Sequence, residues 1–163
     1  MLARNRILRR VLASMFVSYL ARFSDFTLVA WLVVGKTDEP FIVVLLGFFR
    51  FLPFLITGPF TGLVIDRLPR LLVVRVIGAS STIFTLSFAV LLFLDLVVIW
   101  HIFLYTTLIG FTWSVETPAR RVYMRGIVGS LGITRVLAIE MIAWNGGQLI
   151  GSNVAGLGLM FIH

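Results

Sequence analysis

The chain has 163 residues, 60% of them hydrophobic and 13% charged, and a formal net charge of +7, with a mean hydropathy of +1.06. A soluble domain carries about 45–50% apolar and about 25% charged residues, so this composition points to a membrane protein. Cysteine is absent, which excludes disulfides, thiolate metal sites and cysteine nucleophiles. The basic balance does not mark a nucleic-acid surface, because the arginines sit at the ends of apolar runs instead of along one face.

A membrane helix needs about 20 mainly apolar residues. Five segments qualify, at residues 11–34, 41–65, 72–94, 96–115 and 136–162. They predict an all-α, polytopic membrane protein with the lipid bilayer as its main surroundings. The arginines ahead of the first run imitate a signal peptide, but the run is too long and lacks a small-residue cleavage site, so it reads as a retained span.

The connections alternate in charge. Arg4, Arg6, Arg9 and Arg10 precede the first span. Arg67, Arg70 and Arg75 mark the turn between the second and third, and Arg120, Arg121, Arg125 and Arg135 fill the link between the fourth and fifth. The opposite links, 35–40 and Asp95, offer Lys36 beside Asp38, Glu39 and Asp95. This asymmetry predicts a cytoplasmic N-terminus. The long link 116–135 reads as a loop with a short amphipathic piece at the interface, its Val122, Ile127 and Val128 set among arginines.

Charged residues within a span are costly and so become candidates for function. Arg22 and Asp25 lie deep in the first span, three apart and on one helix face. Arg50 lies deep in the second. The loop 35–40 is centred midway between Asp25 and Arg50, which predicts equal depth in a hairpin and an ion pair between them. Two readings follow: a structural pair that holds two helices together, or a cavity site in which Asp25 binds and releases a proton.

Glu140 reads as one turn inside the cytoplasmic end of the fifth span, within reach of Arg135, Arg125 or Arg121 near the surface. His101 reads as a packing residue, since no second histidine stands at metal spacing. Trp31, Trp100 and Trp113 lie toward span ends, as interfacial anchors do. Gly147, Gly151, Ser152 and Gly156 place small residues along the fifth span, a pattern of close helix packing. Asn145, Gln148 and Asn153 on that span read as interhelical hydrogen-bonding or cavity-lining residues. No phosphate loop, nucleophile elbow or H-E-x-x-H stands in the sequence, so the reading is of a non-enzyme with no cofactor and no metal.

The turn after the second span carries a resemblance. Gly62, Asp66, Arg67 and Arg70 stand as G-x-x-x-D-R-x-x-R, which resembles the loop signature between the second and third helices of the major facilitator superfamily. Pro69 stands where that family has glycine, and Leu71 replaces its last basic residue. The run Gly147-x-x-x-Gly151-Ser152-x-x-Ala155-Gly156 resembles the antiporter signature of the fifth helix, with serine in place of proline. The FSD…AWLVV and FFRFLP…GPFTG runs and the Pro118-Ala119-Arg120 stretch are similar to the macrolide-efflux-like and siderophore-exporter-like (transmembrane secretion effector) branch. The resemblance covers the whole chain. It implies most of the N-terminal six-helix half of a facilitator fold, and hence a fragment whose C-terminal half is missing.

It further implies a proton-coupled efflux pump for small amphipathic molecules, of drug or siderophore class, in a bacterial cytoplasmic membrane. Asp66, with Arg67, Arg70 and the close-packing Gly62, is then a cytoplasmic gate. The rival expectation is a complete small membrane protein that packs against or regulates another one.

Overall fold

The computed structural model describes residues 6–67 and 69–160, and the side chains among them except those of residues 6–7, 59–67, 70 and 130–131. The described chain is helical: α1 (Arg6–Val34), α2 (Pro40–Arg67), α3 (Arg70–Phe93) and α4 (Ile99–Met160). α4 is broken at Gly129, whose φ of 72° and ψ of −179° are non-helical. We call its two arms α4a (residues 99–128) and α4b (residues 130–160), which makes five helical segments.

The turns between the helices follow from local chemistry. Pro40 opens α2, where a missing N–H costs nothing, and Thr37 Oγ1 accepts from the Glu39 N–H at 3.2 Å ahead of it. Pro69 caps α3, its φ of −57° already fixed by the ring. At the other end of α3 the chain reverses through Asp95, which adopts a positive φ of 54°. Asp tolerates that conformation better than most residues because its short polar side chain can bond locally. The N–H groups of Leu94, Asp95 and Leu96 satisfy the carbonyls of Val90, Leu92 and Leu91.

Among the described residues, three helices are long and apolar enough to cross a membrane: Leu8–Val34, Pro40–Gly58 and Leu71–Phe93. The two arms of α4 are less apolar. α4a carries Thr106, Thr107, Thr112, Ser114 and six aromatic residues besides His101 (Trp100, Phe103, Tyr105, Phe111, Trp113, Tyr123). It is also the arm most covered by neighbours, with Ile102, Tyr105, Thr106, Ile109, Thr112 and Trp113 buried. A helix shielded by other helices does not need the uniformly apolar surface that lipid demands. Conversely, large apolar residues on α2 and α3 such as Val44, Leu55, Ile83 and Phe93 are exposed by 50% or more, as lipid-facing side chains are.

The link expected over 116–135 is instead helical, interrupted at Gly129. Its Arg, Ala and Met residues are good helix formers, and Glu116 and Arg120, four apart, are paired and largely buried. The helix therefore continues well past the point where apolarity stops.

The chain divides into two compact units, Met1–Leu32 with Met124–His163, and Val33–Tyr123. In the first, α1, the last residues of α4a and α4b pack around Leu8, Met15, Tyr19, Met124, Val136 and Ala143. In the second, the start of α3 meets the end of α4a at Val73 and Ala119, and Phe88 of α3 stacks on Tyr105 at 4.2 Å. α3 and α4a are thus antiparallel. Contacts climb together along α2 and α4a, from Phe49–Phe103 to Phe54–Trp113 and Thr57–Ser114, so that pair is parallel. α1 and α4b are parallel too, with Phe16 near Gly146 and Leu20 near Gly151.

Candidate functional site

In the Val33–Tyr123 unit the site forms where α2 and α4a come closest. A Cβ on Gly110 would overlap the carbonyl oxygen of Arg50 and lie 3.0 Å from Pro53 Cγ. Glycine is required here, because the obstacle is backbone and cannot rotate away. Arg50 itself is 2% exposed. Its guanidinium lies 5.9 Å from the centre of the Trp113 ring, a cation–π separation that contributes about 0.5–2 kcal/mol depending on desolvation.

Trp113 is buried, with Phe51 and Phe54 at 6.0 and 5.6 Å. The expectation that it anchors the chain at the membrane surface is corrected: an amphipathic ring near a span end served a buried cation instead. Thr106, one turn before Gly110 on the same face of α4a, is fully buried. Its hydroxyl has no hydrogen-bond partner among the described residues.

Elsewhere in this unit, a cavity of about 110 Å³ is lined by Phe84, Phe88, His101, Leu104 and Tyr105, among others. His101 Nδ1 accepts from the Val98 N–H at 3.3 Å, at the start of α4a.

In the other unit the site is a seam between α1 and α4b. A Cβ on Gly147 would lie 2.7 Å from Tyr19 Cβ, and one on Gly151 would lie 2.5 Å from the Leu20 carbonyl oxygen. Ser24 donates to the Gly151 carbonyl at 2.8 Å. These two glycines make the close approach expected of the small-residue pattern. Gly156 does not take part, since nothing lies within 4 Å of a Cβ placed there; Ser152 is half-buried.

Because Gly147 has no side chain, the Tyr19 ring lies against α4b. It tilts on Trp144 at 5.3 Å and donates its hydroxyl to Glu140 Oε1 at 2.9 Å. Glu140 is 3% exposed. The position expected near the surface is thus buried, on the face shared by Val136, Ala143 and Gly147. Asn145 and Asn153 are exposed and bond the carbonyls of Met141 and Leu149 on their own helix. This corrects the expectation that they bridge helices.

Arg22 and Asp25 are half-buried in the unit built on α1, while Arg50 belongs to the other. Gly62, Asp66 and Arg67 fall in the last turns of α2, and Arg70 opens α3; their side chains lie outside the described ones. Thr106, Gly110 and Tyr19 were not singled out in the sequence. A glycine in an apolar run is a weak signal for Gly110; Thr106 and Tyr19 had none.

One relative gives the chain a context. It is 24% identical over 152 residues to a "Staphyloferrin A transporter" of Staphylococcus aureus (strain NCTC 8325 / PS 47), an alignment that takes in 93% of this chain. The chain spans about 38% of that relative's length. No family model matches the chain, and no solved structure matches it.

Proposed function

We infer that the chain is the N-terminal part of a secondary transporter of the major facilitator type, working by alternating access. The observation that carries this reading is the similarity across nearly the whole chain to a transporter. The helix directions support it. α1 and α4b are parallel, α2 and α4a are parallel, and α3 opposes α4a, as five successive crossings of a bilayer require. In this reading the membrane is the bacterial cytoplasmic membrane, the N-terminus faces the cytoplasm, and the second half of the same transporter is the chain's partner.

The cargo is a small amphipathic molecule of drug or siderophore class, exported at the expense of a proton gradient. Asp25 is the coupling carboxylate, flanked by Arg22, and Arg50 is a further cavity candidate. Asp66, Arg67 and Arg70, with Gly62, form the cytoplasmic gate. Rocking of two halves about a midplane site is the motion such folds use.

The test is Asp25→Asn in the longer chain, at matched membrane abundance, with efflux of a dye and antibiotic panel driven by a pH gradient. Loss of gradient-driven efflux with retention of exchange down a substrate gradient supports the assignment. Survival of both removes Asp25 from the coupling mechanism and leaves it a structural residue.

A further inference from the structure

Packed helices interdigitate and leave few voids larger than a water molecule. α3 and α4a depart from that. They stack Phe88 on Tyr105 with ring centres 4.2 Å apart and planes within 5°, yet a cavity of about 110 Å³ stays open beside the stack. α3 lines it with Phe84, Ser87 and Phe88, and α4a with His101, Leu104 and Tyr105. Each set has the i, i+3, i+4 spacing of one helix face. Phe88 and Tyr105 are buried, while Ser87 and Leu104 are exposed. The cavity therefore has an aromatic floor and an open rim.

Its lining is apolar apart from three side chains, and these differ in what they have left to give. The Tyr105 hydroxyl already meets Thr85 Oγ1 at 3.4 Å. Ser80 and Thr82 of α3 donate to carbonyls four residues back, but Ser87 makes no such bond, and its hydroxyl has no partner among the described residues. His101 Nδ1 accepts from the Val98 N–H at 3.3 Å. A ring nitrogen that accepts a proton carries none, so the N–H of this imidazole is at Nε2. Trp100 packs against the ring, centroids 3.8 Å apart, and holds its plane. Nε2–H has no acceptor among the described residues. The wall thus offers one N–H donor and one hydroxyl beside the faces of Phe84 and Phe88.

We propose that this cavity is a lateral binding site for a small neutral aromatic molecule with one hydroxyl, of the phenol class. An apolar cavity of about 150 Å³ stays dry and takes up benzene. A cavity of about 110 Å³ with an open rim suits one ring whose polar edge projects from it. The ligand's oxygen accepts from His101 Nε2–H, and its proton goes to Ser87 Oγ. Phe84 and Phe88 supply the offset and edge-on ring contacts that aromatic pairs prefer. A saturated acyl chain would fill the floor but leave the His101 donor unmatched. The entry route fits the same class. His101 is the third residue of α4a, just past the Asp95 turn, and Trp100 beside it is 60% exposed. Amphipathic rings gather at that level of a bilayer. The site does not depend on the transporter reading.

The experiment uses the longer chain in lipid nanodiscs, with 4-fluorophenol and fluorobenzene as probes followed by fluorine NMR. Each affinity is referred to the probe dissolved in the lipid, measured in empty nanodiscs. Wild type is expected to bind 4-fluorophenol saturably and to bind it about 2- to 10-fold more tightly than fluorobenzene, the factor one neutral hydrogen bond supplies. His101→Phe keeps a ring against Trp100 and removes the donor. It is expected to bring 4-fluorophenol down to the affinity of fluorobenzene and to leave fluorobenzene unchanged. Ser87→Phe fills the cavity from an exposed position and is expected to abolish both. Should Ser87→Phe fail to fold, Leu104→Trp fills the same space from the other helix.

The absence of saturable binding to wild type overturns the proposal, as does binding that survives both filling variants. Equal affinities for the two probes, or a His101→Phe protein with the wild-type ratio, overturn the hydroxyl recognition on which it stands. Hexane that displaces 4-fluorophenol as well as phenol itself does means that the cavity takes acyl chains, and the phenol site is then rejected.

Discussion

Gly110 and Gly147 do the same work in two different places: each leaves out a side chain where a neighbouring helix comes too close to admit one. At Gly110 the neighbour is the Arg50 carbonyl, and alanine there forces α2 and α4a apart. Gly110→Ala is expected to lower stability by about 1–3 kcal/mol, the range for overpacking a close interface. Gly78 on α3 is the control, because nothing lies within 4 Å of a Cβ at that position. Gly78→Ala is expected to be neutral or to stabilise by up to about 1 kcal/mol through helix propensity. Unfolding in mixed detergent followed by circular dichroism reads both, and a Gly110→Ala protein as stable as wild type refutes the close approach. Across the other seam, Tyr19→Phe keeps the ring on Trp144 but removes the donor to Glu140. The expected cost is about 1–3 kcal/mol, the penalty for withdrawing one partner of a buried hydrogen bond. A change within about 0.5 kcal/mol, the ordinary scatter of a surface substitution, means the hydroxyl contributes nothing to the seam.

The helices themselves were legible as apolar runs, and the predicted bounds of the first three agree with α1, α2 and α3 to within a few residues at most ends. The exception at α1 and the error at 116–135 share one cause. Hydropathy marks where lipid stops, not where the helix stops, and Arg-rich turns such as Arg6–Arg10 and Arg120–Arg125 continue the helix into the polar zone. The break at Gly129 was hidden for a different reason. Gly126, Gly129 and Gly132 look alike in sequence, and only the positive φ of Gly129 distinguishes it. That conformation, φ of 72° with ψ near 180°, is essentially reserved for glycine. Gly129→Ala is expected to cost about 1–3 kcal/mol of strain or to straighten the break. Either a lower unfolding midpoint or a gain in helical signal reports it, and a protein unchanged in both rules out the break as a fixed feature. The candidate site was legible in part by the same logic. Arg50 announces itself by the cost of its charge, whereas Thr106 resembles Thr27, which bonds its own helix at Phe23, until the fold shows that it does not. Tyr19 and Glu140 stand 121 residues apart, and no local pattern links them.

At the scale of the whole molecule the open quantity is the number of crossings, because the arms of α4 are less apolar than the three helices that meet the spanning requirement. Three crossings and five crossings put the region around Arg125 on opposite sides of the bilayer. With a cytoplasmic N-terminus, three crossings leave everything after Phe93 outside. Five crossings return Arg125 to the cytoplasm. The arginines at 120, 121, 125 and 135 favour the second arrangement, since basic residues are retained on the cytoplasmic side. Buried Thr106, Thr112 and Glu140 fit it as well: helices that carry such groups can cross when other helices cover them. The native chain contains no cysteine, so single cysteines report without background. Asp38→Cys and Arg125→Cys both replace exposed side chains. In intact cells, a membrane-impermeant maleimide is expected to label position 38 and to spare position 125 until the membrane is opened. Labelling of both in intact cells means that α4 does not cross twice, and the five-helix half-transporter arrangement then fails at its fourth helix.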